Sequence, residues 1–121
     1  MNEAVISDST TTIDDLKKLV ARFAADRGWE RYHTPKNLAS SAAIEAGELM
    51  EHFQWLTPEE SFEVANDPDK KRAIAEEISD VVSYLLNLCN RLDVDLASEF
   101  VKKMEKNAVK YPIPKERSPE A

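Results

Sequence analysis

The stretch from Asp69 to Leu92, DKKRAIAEEISDVVSYLLNLCNRL, contains neither glycine nor proline. It places Ile74, Ile78, Val81, Leu85, Leu88 and Leu92 on one face of a helix turning about 100° per residue, which predicts a long amphipathic helix. Glu77 falls among Val81, Tyr84 and Leu88 at the edge of that face, whereas Glu76 points to solvent. A glutamate held among apolar neighbours has to be protonated, paired or metal-bound, because an isolated ionised carboxylate there is costly. Asp80 stands three residues on, within reach of the same ligand.

Outward from this segment the chain reads as helices with punctuation. Asp67-Pro68-Asp69 breaks whatever precedes the long helix, with Asp69 or a neighbour starting it. Thr57-Pro58-Glu59-Glu60 joins a cap residue, a proline for the first helical position and a glutamate, and so starts a short helix. Upstream, Pro35 opens a helix running to about Leu56, with Leu38, Ala42, Leu49, Phe53 and Leu56 as its apolar stripe. Thr12 and Asp15 form a capping box for a first helix carrying Ile13, Leu16, Leu19, Val20 and Phe23, which Gly28 can close. Between the first two lies the aromatic connector Trp29-Glu30-Arg31-Tyr32-His33-Thr34. Asp95 is placed to cap a last helix from Leu96 to Lys110, ahead of Tyr111-Pro112. The expectation is an all-α fold of four main helices plus a short connector helix. Residues 12–111 form the working domain, between polar N-terminal (1–11) and proline-rich C-terminal (112–121) flexible tails.

Composition agrees. The 121 residues, 42% of them hydrophobic, suffice for one modest core, and two glycines with hardly any period-two segment leave little room for a sheet. Sixteen basic against 23 acidic residues, a formal charge of −7, exclude a generic binder of nucleic-acid polymers. An acidic protein still meets a polyphosphate when divalent cations lie between them. No apolar run reaches the roughly 20 residues of a membrane span, and Met1 to Thr12 lacks a signal-peptide layout, so a cytoplasmic location is expected. Cys89 sits in an apolar run and reads as a small buried hydrophobe.

A second carboxylate pair accompanies the first. On the helix opened by Pro35, Glu45 flanks the apolar stripe and Glu48 lies one step further out, so both can face one ion. Four such oxygen donors, Glu45, Glu48, Glu77 and Asp80, suit Mg²⁺ or Mn²⁺ rather than Zn²⁺. The spacing equally fits ordinary surface acids, which a chain with 23 of them produces often. On the last helix Lys103, Asn107 and Lys110 repeat beside the apolar line Leu96, Phe100, Met104, Ala108, and Tyr111 follows. That stripe fits phosphate oxygens or a solvated lysine face.

The strings Glu45-Ala-Gly-Glu48-Leu-Met-Glu-His-Phe53-Gln54-Trp55, Glu76-Glu77-Ile-Ser-Asp80-Val-Val-Ser-Tyr84 and Lys103-Met-Glu-Lys-Asn107-Ala-Val-Lys110-Tyr111-Pro112, in this order, resemble the MazG-type all-α nucleotide pyrophosphatases, and more closely their short dCTP pyrophosphatase branch. Arg27-Gly-Trp29-Glu-Arg-Tyr32-His33 and Pro35-Lys-Asn37-Leu extend the likeness over about residues 13–112. The resemblance implies Mg²⁺-dependent hydrolysis between the α and β phosphates, releasing a nucleoside monophosphate and pyrophosphate. It implies metal binding by Glu45, Glu48, Glu77 and Asp80, and phosphate binding by Lys103, Asn107, Lys110 and Tyr111. Trp29, His33 and Trp55 would surround the base and Tyr84 would touch substrate. Beyond the resemblance, Tyr32 gives the same connector a further polar ring for substrate contact, and in a catalytic set of Glu48, Glu45 and Glu77 the place of Glu48 on the outer side of its pair makes it the choice of general base. The resemblance also implies a homo-oligomer, dimer or tetramer. Aromatic stacking tolerates many bases, so a broad house-cleaning activity on modified nucleotides stays open. So do phosphoribosyl-ATP hydrolysis by the same carboxylates and a non-catalytic helical interaction module.

Overall fold

A computed structural model of the chain describes residues 5–115. These fold into five α-helices without a strand: α1 (Ile13–Asp26), α2 (Pro35–Glu51), α3 (Pro58–Glu63), α4 (Pro68–Leu92) and α5 (Leu96–Lys110), with a single 3-10 turn, Val64–Asn66, after α3. The four long helices and one short one match the sequence reading. None is long and apolar enough to cross a membrane. Residues 5–11 of the expected N-terminal tail hold a turn in which the Ser7 amide donates to Thr10 Oγ1 at 2.9 Å. Residues 1–4 and 116–121 lie outside the described residues.

The helix starts follow local chemistry. Thr12 accepts from the Asp15 amide while Asp15 accepts from the Thr12 amide, and Thr57 and Glu60 form the same reciprocal pair at α3. Asp67, rather than Asp69, caps α4, accepting from the amides of Asp69 and Lys70. The end of α1 is equally specific: Gly28 takes φ +65, and the Gly28 and Trp29 amides donate back to Ala25 and Ala24. Asp93 ends α4 in the same left-handed region at φ 54, which aspartate tolerates better than most side chains.

Two local expectations need correction. α2 ends at Glu51, not about Leu56, because the chain tightens there: the amides of His52, Phe53 and Leu56 each donate to the carbonyl three residues back. Asp95 sits at the N-cap of α5, but its side chain makes no capping bond.

α4 is the spine, packing along α2 and, through another part of its surface, against α1. Ala24, Leu38, Ala42, Ile74 and Leu86 are buried where these three helices meet. Leu38 is almost fully enclosed, and such burial is worth about 1.5–3 kcal/mol. The apolar stripe of α4 is less covered than expected: Ile78, Leu85 and Leu92 are substantially exposed, while Leu86 and Asn87 are buried. The reason is the missing fourth wall. α5 shares no extensive face with another helix and buries none of its residues, leaving Phe100, Val101 and Met104 open.

Candidate active site

Glu45 and Glu48 project one helical turn apart from α2, and Glu77 meets them from α4. One oxygen of each lies within 4.8 Å of the others. Helical register turns Glu77 and not Glu76 toward α2, and Glu77 is accordingly half-buried while Glu76 is exposed. Glu45 Oε2 and Glu77 Oε2 are shut away from solvent without a hydrogen-bond partner. No lysine, arginine or histidine pairs with them among the described residues, whose ion pairs are Lys18 with Asp14, Arg22 with Asp26 and Lys102 with Glu99.

The electrostatic consequence is mutual repulsion. A hydrogen bond with Glu48 pulls Glu45 downward, but the contact with Glu77, burial, and the charges of Glu77 and Asp80 outweigh it and hold the carboxyl above its ordinary 4.5. Glu48 is likewise raised, first by its hydrogen bond and charge interaction with Glu45, then by burial and the charges of Glu51 and Asp80. Two buried, unpartnered oxygens among three crowded carboxylates are the donor set that a hard divalent cation satisfies. Asp80 stands outside the three-oxygen group but near enough for its charge to act on both α2 glutamates.

Asp80 also opens onto a cavity of about 420 Å³ between α1, α4 and the aromatic connector. Trp29, His33 and Tyr84 form one side of it, and Phe23, Val20 and Asn87 contribute the rest of the relevant wall. The rings make a continuous series: Phe23 edge-on to Trp29 at 5.7 Å, Trp29 tilted against His33 at 6.0 Å and His33 edge-on to Tyr84 at 6.4 Å between centroids. His33 Nδ1 is buried without a partner, a polar atom left over in an otherwise aromatic surface. Burial, followed by the charges of Glu45, Asp80 and Glu48, raises the Tyr84 hydroxyl above its ordinary 10.0, so Tyr84 stays a neutral donor beside the acids. An apolar slot with a few polar atoms, adjoining a carboxylate cluster, can hold a flat heterocycle next to a cation-bound anion.

Other sequence-selected residues lie elsewhere. Tyr32 and Trp55 are exposed and line no part of the cavity, Tyr32 instead receiving the Arg31 guanidinium 4.7 Å from its ring centroid. Lys103, Asn107, Lys110 and Tyr111 sit on or just after α5, away from the cavity wall, with the Lys110 ammonium 5.3 Å from the Tyr111 ring centroid. Conversely, the structure adds Phe23 and Asn87, which sequence reasoning left out of the site. Asn87 had a visible signal: it is the single amide in the apolar run Val81 to Cys89, three residues beyond Tyr84.

Five helices, paired E-x-x-E and E-x-x-D carboxylates and an adjoining aromatic slot define the class, and the chain belongs to the MazG-like family, which matches residues 40–121. It is similar to dCTP pyrophosphatase 1 of Homo sapiens, 42% identical over 107 residues that make up 88% of this chain and 63% of the relative. The Rattus norvegicus dCTP pyrophosphatase 1 is also 42% identical, over 84% of this chain and 60% of its own length. The chain thus spans about three fifths of the length of the curated relatives it matches. A crystal structure of a pyrophosphatase from Archaeoglobus fulgidus superposes with a TM-score of 0.76 at 40% identity, covering 89% of this chain and 99% of that one.

Proposed function

We propose that this chain, with residues 12–111 as its working domain, is a Mg²⁺-dependent nucleoside triphosphate pyrophosphohydrolase. It cuts between the α and β phosphates of a deoxynucleotide, dCTP or a base-modified dCTP in first place, in the cytoplasm. The observation that carries the reading is the junction of the Glu45, Glu48 and Glu77 cluster, with its two orphaned buried oxygens, and the Trp29, His33 and Tyr84 slot. The names of the relatives and of the Archaeoglobus fulgidus structure support it.

Glu45, Glu48 and Glu77, with Asp80 beside them, would hold the cation. When bound, Mg²⁺ supplies positive charge against the triphosphate oxygens and acidifies nearby water. Trp29 and Tyr84 give the base an apolar seat, and His33 offers a buried ring nitrogen to its polar edge. Glu48, the exposed member on the outer side of its pair, takes the proton from the water that attacks the α phosphorus as pyrophosphate departs. Lys103, Asn107, Lys110 and Tyr111 hold the outgoing phosphates.

That last assignment requires α5 to face a site. Phe100, Val101 and Met104, uncovered along α5, support a homo-oligomer in which a second copy supplies the missing wall.

The test is direct. Incubation with a panel of standard and base-modified dNTPs plus Mg²⁺ should release monophosphate and pyrophosphate, fastest from a cytosine nucleotide. Glu48→Gln and Glu77→Gln should abolish turnover with unchanged helical circular dichroism. Retained activity in either variant refutes the assignment.

A further inference from the structure

We propose that Arg91 is a positioning residue for the base-binding wall, acting on the backbone of the aromatic connector; this deepens the pyrophosphohydrolase reading and rests on it. Arg91 lies in the last turn of α4, outside the carboxylate cluster and the aromatic slot. Its Nε donates to the His33 carbonyl at 3.1 Å and its Nη2 to the Glu30 carbonyl at 2.9 Å. One planar guanidinium therefore spans two carbonyls of the segment that carries Trp29 and His33.

The connector has little else to hold it there. It has no regular helix or strand between α1 and α2, and a second cavity of about 180 Å³, lined in part by Glu30, His33, Asn87, Asn90 and Arg91, opens between it and α4 beside the His33 and Tyr84 ring contact. Its other polar ties are internal or lead to its own flanking helices: the Tyr32 and His33 amides donate to the Trp29 carbonyl and the His33 amide also to Glu30, the Trp29 amide reaches Ala24, and the Asn37 side chain reaches the Tyr32 carbonyl, so none of them reaches α4. Arg91 alone supplies side-chain hydrogen bonds from α4 to this backbone among the described residues.

The helical register explains why that link matters. Tyr84, Asn87 and Arg91 are spaced i, i+3, i+7, so they share one stripe of α4. Tyr84 meets the His33 ring edge-on, and Arg91 holds the His33 carbonyl, so α4 grips His33 at both ring and backbone. Glu77 and Asp80 stand further back on the same helix. The slot that seats the base is thereby referenced to the helix that carries two of the acids. A lysine ammonium is a point donor on a flexible stem and cannot reproduce the fixed two-pronged reach.

The discriminating experiment compares wild type with Arg91→Lys and Arg91→Gln by steady-state kinetics on dCTP with Mg²⁺ and by amide hydrogen exchange. The expected result is a KM raised about tenfold in Arg91→Gln and less in Arg91→Lys, with kcat within about twofold, because the loss falls on binding shared by ground and transition states. Exchange should quicken within residues 28–34 while α2 and α4 keep wild-type protection. A fall in kcat at constant KM, an unchanged KM, or exchange that quickens throughout the chain overturns the proposal. Should the wild type hydrolyse no nucleotide, the pyrophosphohydrolase reading fails by itself; connector exchange unaltered by either substitution then disproves the clamp separately.

Discussion

Glu45 on α2 and Glu77 on α4 bring carboxylate oxygens within 4.8 Å, and each keeps its Oε2 buried with no hydrogen-bond partner. Two helices that pack along each other thus concentrate negative charge at their contact. In a protein with only a modest core, that arrangement is retained at a cost which a cation can offset.

Adding Mg²⁺ should therefore raise the thermal midpoint of the chelator-treated protein. At a free concentration 100-fold above the dissociation constant, linkage gives about 2.7 kcal/mol. For a domain of this size that corresponds to a shift on the order of 10 °C. Differential scanning calorimetry measures it directly, and Glu77→Gln should lose most of the shift.

The pH dependence of the metal-free protein follows from the raised carboxyls. Folded Glu45 and Glu48 hold their protons above the ordinary 4.5, so their contribution to stability is full below that value and is lost as pH rises through their raised values. Asp15 and Glu60 act oppositely: hydrogen bonds from Thr12 and Thr57 keep them below 3.8 and 4.5, so their contribution is present above those values and lost as pH falls through the lowered ones. In chelator, the two α2 glutamates should thus lower the midpoint as pH climbs above 4.5, a trend that Glu45→Gln reduces and Mg²⁺ suppresses. A wild-type profile superimposable on that of Glu45→Gln would contradict the coupling.

Trp29→Ala should weaken substrate binding more than it slows chemistry. Loss of one base-stacking partner is worth about 1–3 kcal/mol, or roughly 5- to 150-fold in KM. Because the ring also meets Phe23 edge-on at 5.7 Å, some thermal stability goes with it, and Trp29→Phe should recover much of both. Kinetics on dCTP beside thermal melts of the two variants separate the effects.

Charges on the open face of α5 should abolish the proposed homo-oligomer. Phe100→Asp with Met104→Asp leaves the packed contacts of α1, α2 and α4 untouched, since α5 shares no extensive face with them. Analytical ultracentrifugation should show the double variant as a helical monomer, with its turnover lost. A wild-type chain that sediments as an active monomer would rule out the shared site.

Whatever depends on neighbours within a turn or two is legible in the chain before it folds. The Thr12 and Thr57 caps, the stop at Gly28, the extent of α4, and the choice of Glu77 over Glu76 all follow from spacing, φ preference and helical period. The paired acids and the aromatic connector were legible for the same reason. Tertiary structure alone decided which pairs met: that Glu77 faces Glu45 rather than a lysine, that Asn87 enters the slot wall, that Arg91 reaches back across 58 residues to the His33 carbonyl, and that α5 finds no partner in its own chain. Helical periodicity states which residues share a face. What that face meets depends on how much apolar surface the other helices can cover, and here three helices close one core while the fourth long helix is left for another surface.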